Sequence, residues 1–309
     1  MALKGSLKDK NIIIRLLVWV AIMLLLTIPT VLIWTLTVGT NQTISALRVL
    51  QVLQTFAFFI LPVLAAVWLW SDRPLHWLRL DKGMSWQTAG LVVLMMLVYS
   101  PGINLLSALN QELSLPSWLS ELEVWLKARE AEASLLTDRF AQADNLPQLI
   151  LNLLIMAVLP AIGEELCFRG TCQGLFAHGT SGPRKPYYNR LRAHTHEAIW
   201  ITAILFSAIH IQFYGFVPRM LLGALLGYLL CYSGSLYVPM LAHFTNNAVA
   251  VICFYIAGKG NVSAEFLEEF GSGDTWWAGV LSLIAGSALM WLFVRRQSSA
   301  LRLSAPPAA

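Results

Sequence analysis

The stretch LNLLIMAVLPAIGEELCFRG, residues 151–170, is almost wholly apolar until it reaches the adjacent carboxylates Glu164 and Glu165, and then Arg169. A charged side chain is costly to place in hydrocarbon, so ionisable groups within apolar runs of membrane-spanning length are functional candidates. This segment therefore predicts a membrane helix that carries chemistry.

Two later apolar segments repeat the pattern with other polar residues. FSAIH (206–210) ends in His210, four residues after Phe206, and HFTNN (243–247) contains His243 and Asn247. Two acids, two histidines and an amide in an otherwise apolar part of the chain are the groups that a hydrolase inside the membrane requires.

The composition of the whole chain agrees with a membrane protein. Of its 309 residues 57% are hydrophobic and 12% charged, and the mean hydropathy is +0.63. Soluble domains carry about 25% charged residues. We expect an all-α, polytopic protein with about eight transmembrane helices, which run over residues 12–35, 49–70, 87–108, 148–168, 198–214, 217–233, 235–257 and 276–294.

Basic residues concentrate in alternate loops. If the N-terminus is cytoplasmic, 15 of the 21 lysines and arginines lie on the cytoplasmic side. They are Lys4, Lys8, Lys10, Arg15, Arg73, Arg79, Lys82, Arg169, Arg184, Lys185, Arg190, Arg192, Arg295, Arg296 and Arg302. The positive-inside rule then predicts both termini in the cytoplasm. The scattered basic residues lack interleaved aromatics, so we expect no nucleic-acid partner.

Helical spacing divides the two adjacent carboxylates. Glu165 and Arg169 are at i and i+4, in the acid-first order that favours an ion pair. Glu164 points about 100° away and has no local partner, which suits a general base. The alternative is that both acids lie at the cytoplasmic interface and are solvated.

His243 and Asn247 share one face of their helix, and His210 is expected near the middle of its span. Together with Glu164 they could line one cavity that opens to the cytoplasm. His210, taken alone, could instead be a packing residue, and the neighbouring Asn246 could simply bond a backbone group.

Residues 109–146 form an acidic outer segment in this topology. Leucines near helical spacing predict an amphipathic helix over 117–140, lying on the membrane surface. It could be a lid or a partner surface; a solvated connector is the simpler interpretation.

In order, the EExxxR, FxxxH and HxxxN motifs resemble those of the CPBP intramembrane proteases, the group that includes the Rce1-like type II CAAX prenyl endopeptidases. The resemblance covers about 147–257 as the catalytic core, between an N-terminal part (1–146) and a C-terminal part (258–309). It implies that Glu164 with His210 activates water for attack on a peptide bond. It also implies that His243 and Asn247 stabilise the oxyanion, while Glu165 and Arg169 support the site or contact substrate.

Several alternatives remain open. Glu164, His210 and His243 are acceptable zinc ligands, yet there is no HExxH motif and no carboxylate is evidently placed to hold either histidine, so a metal-free site is favoured. Other candidates are a transporter and a non-catalytic immunity or scaffold protein. For the protease we expect a membrane-tethered peptide or protein as substrate and a multi-pass location in a bacterial cytoplasmic membrane.

Overall fold

The computed structural model describes residues 3–39, 43–178, 193–260, 263, 266 and 269–303. Throughout that part of the chain the regular structure is helical, apart from an isolated bridge between Phe270 and Ser272. The expected all-α class is confirmed.

The helices, in chain order, are α1 (Ile12–Val38), α2 (Ile44–Trp70), α3 (Pro74–Trp77), α4 (Trp86–Gln111), α5 (Ser120–Ala141), α6 (Leu146–Ala177), α7 (Ala193–Ala208), α8 (Phe216–Ser233), α9 (Tyr237–Gly258) and α10 (Trp276–Leu303). Wider π turns interrupt α2 at Thr55–Ile60 and α6 at Leu153–Val158 and Leu166–Cys172. Such turns are rare and often accompany functional sites.

Seven helices of the described chain are long and apolar enough to cross a membrane: α1, α2, α4, α6, α8, α9 and α10. The span predicted over 198–214 corresponds to α7, which has 16 residues and is shorter than a usual spanning helix of about 17–25. The polytopic membrane architecture is thus confirmed, with seven such helices in the described chain where about eight were expected.

Polar residues fix where several helices begin. The side chains of Asn11, Ser85 and Asn145 each accept a hydrogen bond from a backbone N–H in the first turn of α1, α4 and α6. These caps satisfy donors that a helix start leaves unpaired. Gly234 ends α8 with a φ of 70°, a conformation that glycine adopts without strain.

Both described termini lie at one end of the molecule, which we call the basic end. There Gly5 N donates to Trp68 O at 3.0 Å, and Lys8 pairs with Asp72 at 3.2 Å. The last turns of α10 reach the same end, because Gln297 Nε2 contacts Thr88 Oγ1 at 3.1 Å. The shared end agrees with an even number of crossings. Arg184, Lys185, Arg190 and Arg192, which contributed to the predicted orientation, lie outside the described residues.

The opposite end carries α5 and is called the α5 end. Arg48 Nη2 donates to Phe140 O at 3.3 Å and to Asn152 Oδ1 at 2.8 Å, which ties the end of α5 to α2 and α6. Lys259 Nζ donates to Asp144 O at 2.6 Å. The predicted helix over 117–140 is therefore present at Ser120–Ala141, and it is bonded to the helix bundle.

Candidate active site

The predicted pair of Glu165 and Arg169 forms the centre of a buried polar cluster. Arg169 Nη1 donates to Glu165 Oε1 at 2.8 Å, and both side chains are fully buried. Arg169 Nη2 also donates to Gly223 O at 2.9 Å, and its guanidinium lies 4.4 Å from the centre of the Phe206 ring. A buried charge requires such partners, and a guanidinium can donate hydrogen bonds to several acceptors while it stacks on an aromatic ring.

His243 of α9 completes this cluster from another helix. Its Nδ1 lies 2.9 Å from Glu165 Oε1, and since the carboxylate can only accept, Nδ1 carries the hydrogen. The expectation that no carboxylate would hold either histidine was wrong for His243. The contact joins residues 78 positions apart, so spacing within one helix could not reveal it.

Glu164 lies beside this cluster and is less enclosed. Its side chain is 15% exposed, and Oε2 is 3.9 Å from His243 Nε2. A water molecule at hydrogen-bond distance from both atoms would lie to one side of the line that joins them. Glu164 and Glu165 thus contact the two different nitrogens of one imidazole.

His210 is placed differently from the sequence-based expectation. Because α7 ends at Ala208, His210 lies in the turn after it and not near the middle of a span. Its Nδ1 is 2.8 Å from Phe206 O, and its ring packs edge-to-face on Phe206 with centroids 5.4 Å apart. A backbone oxygen can only accept, so Nδ1 holds the hydrogen and Nε2 of the neutral ring is an acceptor.

Phe206 connects the two histidines. Its ring also packs edge-to-face on His243, with centroids 5.9 Å apart. Asn247, one turn along α9 from His243, donates from Nδ2 to Met156 O at 3.2 Å and accepts from Asn246 Nδ2 at 3.2 Å. Its NH₂ group has two hydrogens, so a second donor is available for another acceptor.

The two sides of the cluster differ in polarity. Toward the basic end every residue from Leu166 to Cys172 is buried, and the apolar side chains there pack with Trp70, Leu230 and Leu236. Toward the α5 end lie His210 and Asn247, both partly exposed. The polar side of the cluster therefore faces the α5 end, where the turn after α7 also lies, and the opening of the site to the cytoplasm stays a prediction.

This turn is recessed from the α5 end. It joins α8 at Phe216, two helical turns or roughly 10 Å from Gly223, the residue bonded to Arg169. By contrast α9 continues from His243 to Gly258, roughly 22 Å at 1.5 Å per residue. The polar groups therefore lie at the bottom of a depression among longer helices.

The helix α5 lies over this depression. Tyr214 N donates to Glu130 Oε2 at 3.3 Å, and Tyr214 Oη donates to Glu123 Oε1 at 3.4 Å. Glu123 is also paired with Lys127 at 2.8 Å, and this hydrogen bond lowers the pKa of Glu123. The contacts favour the lid interpretation of this segment over a solvated connector.

Arg219, in the first turns of α8, is a residue that the motif analysis passed over. Nη2 donates to Gln212 Oε1 at 2.7 Å, while the buried Nη1 has no hydrogen-bond partner within the described chain. Its charge interacts with those of Glu164 and Glu130. The signal was present in the sequence, since an arginine within an apolar span beside His210 is itself a functional candidate.

Glu164, His210 and His243 are the ligands of the alternative zinc site. Within the described residues no group of three His, Cys, Asp or Glu side chains is arranged to hold a metal ion. Glu164 and His243 approach each other at 3.9 Å, and the structure does not bring His210 into the same ligand set. These residues, as placed, do not fit a zinc site, and the metal-free mechanism stays a prediction.

Comparison with known proteins concerns the same segment. Residues 146–249 match the family model described as Type II CAAX prenyl endopeptidase Rce1-like. The chain is 28% identical over 102 residues to the uncharacterized protein YpbD of Bacillus subtilis (strain 168), an alignment covering 32% of this chain and 43% of that protein. No solved structure matches. The resemblance inferred from the three motifs is thereby confirmed for the segment that contains all of them.

Proposed function

We propose that this chain is an intramembrane endopeptidase that cleaves a membrane-tethered peptide or protein. One observation carries the proposal: Glu164 lies 3.9 Å from a histidine that a buried Glu165–Arg169 pair holds in place, within a segment matching the Rce1-like peptidase family. The membrane helices around it support a substrate that is itself held in the bilayer.

In the proposed mechanism, Glu164 is the general base. It takes a proton from a water molecule as the water oxygen attacks the peptide carbonyl carbon, and it later gives that proton to the departing amine. His210 helps to hold the water, because its Nε2 accepts a hydrogen bond while Nδ1 is bound to Phe206 O. Catalysis by a positioned base of this kind contributes about 10²- to 10⁴-fold.

His243 and Asn247 stabilise the negative oxygen of the tetrahedral intermediate. Glu165 accepts the hydrogen on His243 Nδ1, and in this proposal a hydrogen on Nε2, the ring nitrogen that faces Glu164, is donated to that oxygen. Asn247 supplies its second amide hydrogen. Arg169 neutralises Glu165, so the cluster holds His243 in a fixed orientation without leaving an unpaired buried charge.

Substrate reaches the site from the α5 end in this proposal, past Tyr214 and beneath α5. The unpartnered Nη1 of Arg219 is placed to bind a carbonyl or carboxylate oxygen of the substrate near Glu164. We further propose the cytoplasmic membrane of a bacterium as the location.

The decisive experiment compares membrane peptides in cells producing the wild type and Glu164→Gln. The variant keeps the shape of the side chain but removes its basicity, so peptides cleaved by the wild type should persist uncut while the protein remains folded and inserted. Glu121→Gln on the exposed face of α5 is the matched control and should cleave normally. Wild-type cleavage by Glu164→Gln would exclude Glu164 as the base.

A second experiment determines which side of the membrane the α5 end faces. Cysteines introduced at Glu121, on α5, and at Gly83, at the basic end, are labelled with an impermeant maleimide in intact cells. The distribution of basic residues predicts labelling at Glu121 and none at Gly83. The reverse pattern would place the open side of the site in the cytoplasm.

A further inference from the structure

A second cavity lies at the basic end, apart from the residues of the candidate active site. Its volume is about 380 Å³, within the range of pockets that hold small ligands. It lies between the start of α4, the turn from α8 to α9 and the last turns of α10. The polar residues that line it include Lys82, Gln87, Thr88, Ser233, Arg296 and Gln297.

The charges around this cavity have one sign. Lys82 and Arg296 line it, and no aspartate or glutamate is among the described residues that line it. Arg79 adds a third positive charge close to Lys82; burial first, and then this charge, lower the pKa of Lys82. Lys82 Nζ donates to Ser233 O at 2.5 Å, while Asp81, outside the cavity, contacts His76 at 2.6 Å and interacts with the charge of Arg79. Like charges held together in this way are stabilised by a bound anion.

The donors available suit a phosphate group. Lysine and arginine form charge-assisted hydrogen bonds to phosphate oxygens. The Thr88 hydroxyl accepts hydrogen bonds from Ser85 and Gln297, so its own hydrogen can be donated to a ligand. The cavity also lies at the beginning of α4, a helix of 26 residues, whose dipole adds positive potential there.

The position of the cavity relative to the bilayer indicates the source of the phosphate. Trp86, next to the lining residues Ser85 and Gln87, is 91% exposed, and exposed tryptophans at the ends of spanning helices lie at the level of the lipid head groups. Arg295 stacks over Trp291 at 3.8 Å on the same helix as Arg296. Basic pockets between membrane helices at this level bind anionic head groups.

We propose that this cavity binds the phosphate of an anionic phospholipid head group. Lys82 and Arg296 contact the phosphate oxygens, and the hydroxyl and amide side chains contact the rest of the head group. The site is separate from the peptidase chemistry, so the proposal stands or fails independently of it.

The test uses the purified full-length protein in detergent. Binding of phosphatidylglycerol and of phosphatidylcholine is measured by native mass spectrometry, and the thermal unfolding midpoint is measured with each lipid and with inorganic phosphate. We expect phosphatidylglycerol to bind and raise the midpoint, and phosphatidylcholine and inorganic phosphate to do so much less. Equal protection by inorganic phosphate would overturn the assignment to a lipid.

Variants locate the site. Lys82→Gln and Arg296→Gln should each weaken phosphatidylglycerol binding roughly tenfold or more, the effect of losing one hydrogen bond from a charged group. Arg295→Gln removes a neighbouring charge that does not line the cavity and should bind as the wild type does. The exposed Arg296 serves as the second variant if Lys82→Gln proves unstable. Equal losses in all three variants would show a diffuse charge effect and overturn the site.

Discussion

The two sides of the Glu165–Arg169–His243 cluster are built in opposite ways. Toward the basic end, aromatic and aliphatic side chains such as Trp70 and Leu236 close the structure completely. Toward the α5 end, partly exposed polar side chains lie beneath a charged helix. The closed side stabilises charges that must stay in place, and the open side presents the groups that need water and substrate.

The adjacent carboxylates show the difference within one turn of α6. Glu165 is fully buried and shared by Arg169 and His243, whereas Glu164 is 15% exposed. Two residues of the same type therefore have different predicted roles because of the side on which each lies. The predictions below test that division.

The largest effect is expected on the closed side. Arg169→Met leaves Glu165 buried without its cation, and breaking a buried pair costs about 3–5 kcal/mol of folding free energy. Chemical unfolding in detergent measures it. Adding Glu165→Gln to Arg169→Met should restore part of the stability, because the unpaired charge is then gone. If Arg169→Met alone were as stable as the wild type, the charge of Glu165 would not depend on Arg169, and the closed side would not be fully buried.

On the open side we expect a loss of turnover without a loss of fold. Asn247→Ala should lower kcat by about 100- to 1000-fold, the usual effect of removing one oxyanion donor, with little change in KM. Steady-state kinetics on a cleaved peptide measures both. Asn246→Ala is the matched control and should lose less than about tenfold, since only a supporting hydrogen bond disappears. A similar loss in both variants would argue against a direct role for Asn247.

The smallest effect is expected from removing metal ions. With Glu164 as the base, exhaustive chelation in detergent should leave peptidase activity unchanged, and elemental analysis should find no stoichiometric zinc. If zinc is stoichiometric, and activity is lost on its removal and regained on its return, the open side is a metal site and Glu164, His210 and His243 become candidate ligands.

The sequence predicted what depends on local spacing. The span expected over 217–233 is found at Phe216–Ser233, and the Glu165–Arg169 pair follows directly from its i, i+4 positions. Hydrophobic length and helical period determine both features, and both can be read without knowing how helices pack.

Features that depend on contacts between helices were missed or misplaced. The bond from His243 to Glu165, the position of His210 beyond the end of α7, and the bond from Arg219 to Gln212 all arise from the way α6, α7, α8 and α9 meet. Residues 209–214 read IHIQFY, without a glycine or proline to mark that the helix has stopped at Ala208. The division of the chain at 146/147 and 257/258 and the catalytic roles stay predictions.

The depth at which α5 meets the turn at Tyr214 has a consequence for the surrounding lipid. A helix with so many charged residues is costly to place in hydrocarbon, so we expect water and head groups to be drawn inward beside it and the bilayer there to be thinner than its usual ~30 Å. We expect the rate of peptide cleavage to depend on the acyl chain length of the surrounding lipids. Lipids with short chains match the thinned region, whereas lipids with long chains oppose the thinning. The membrane itself would then determine how readily water reaches Glu164.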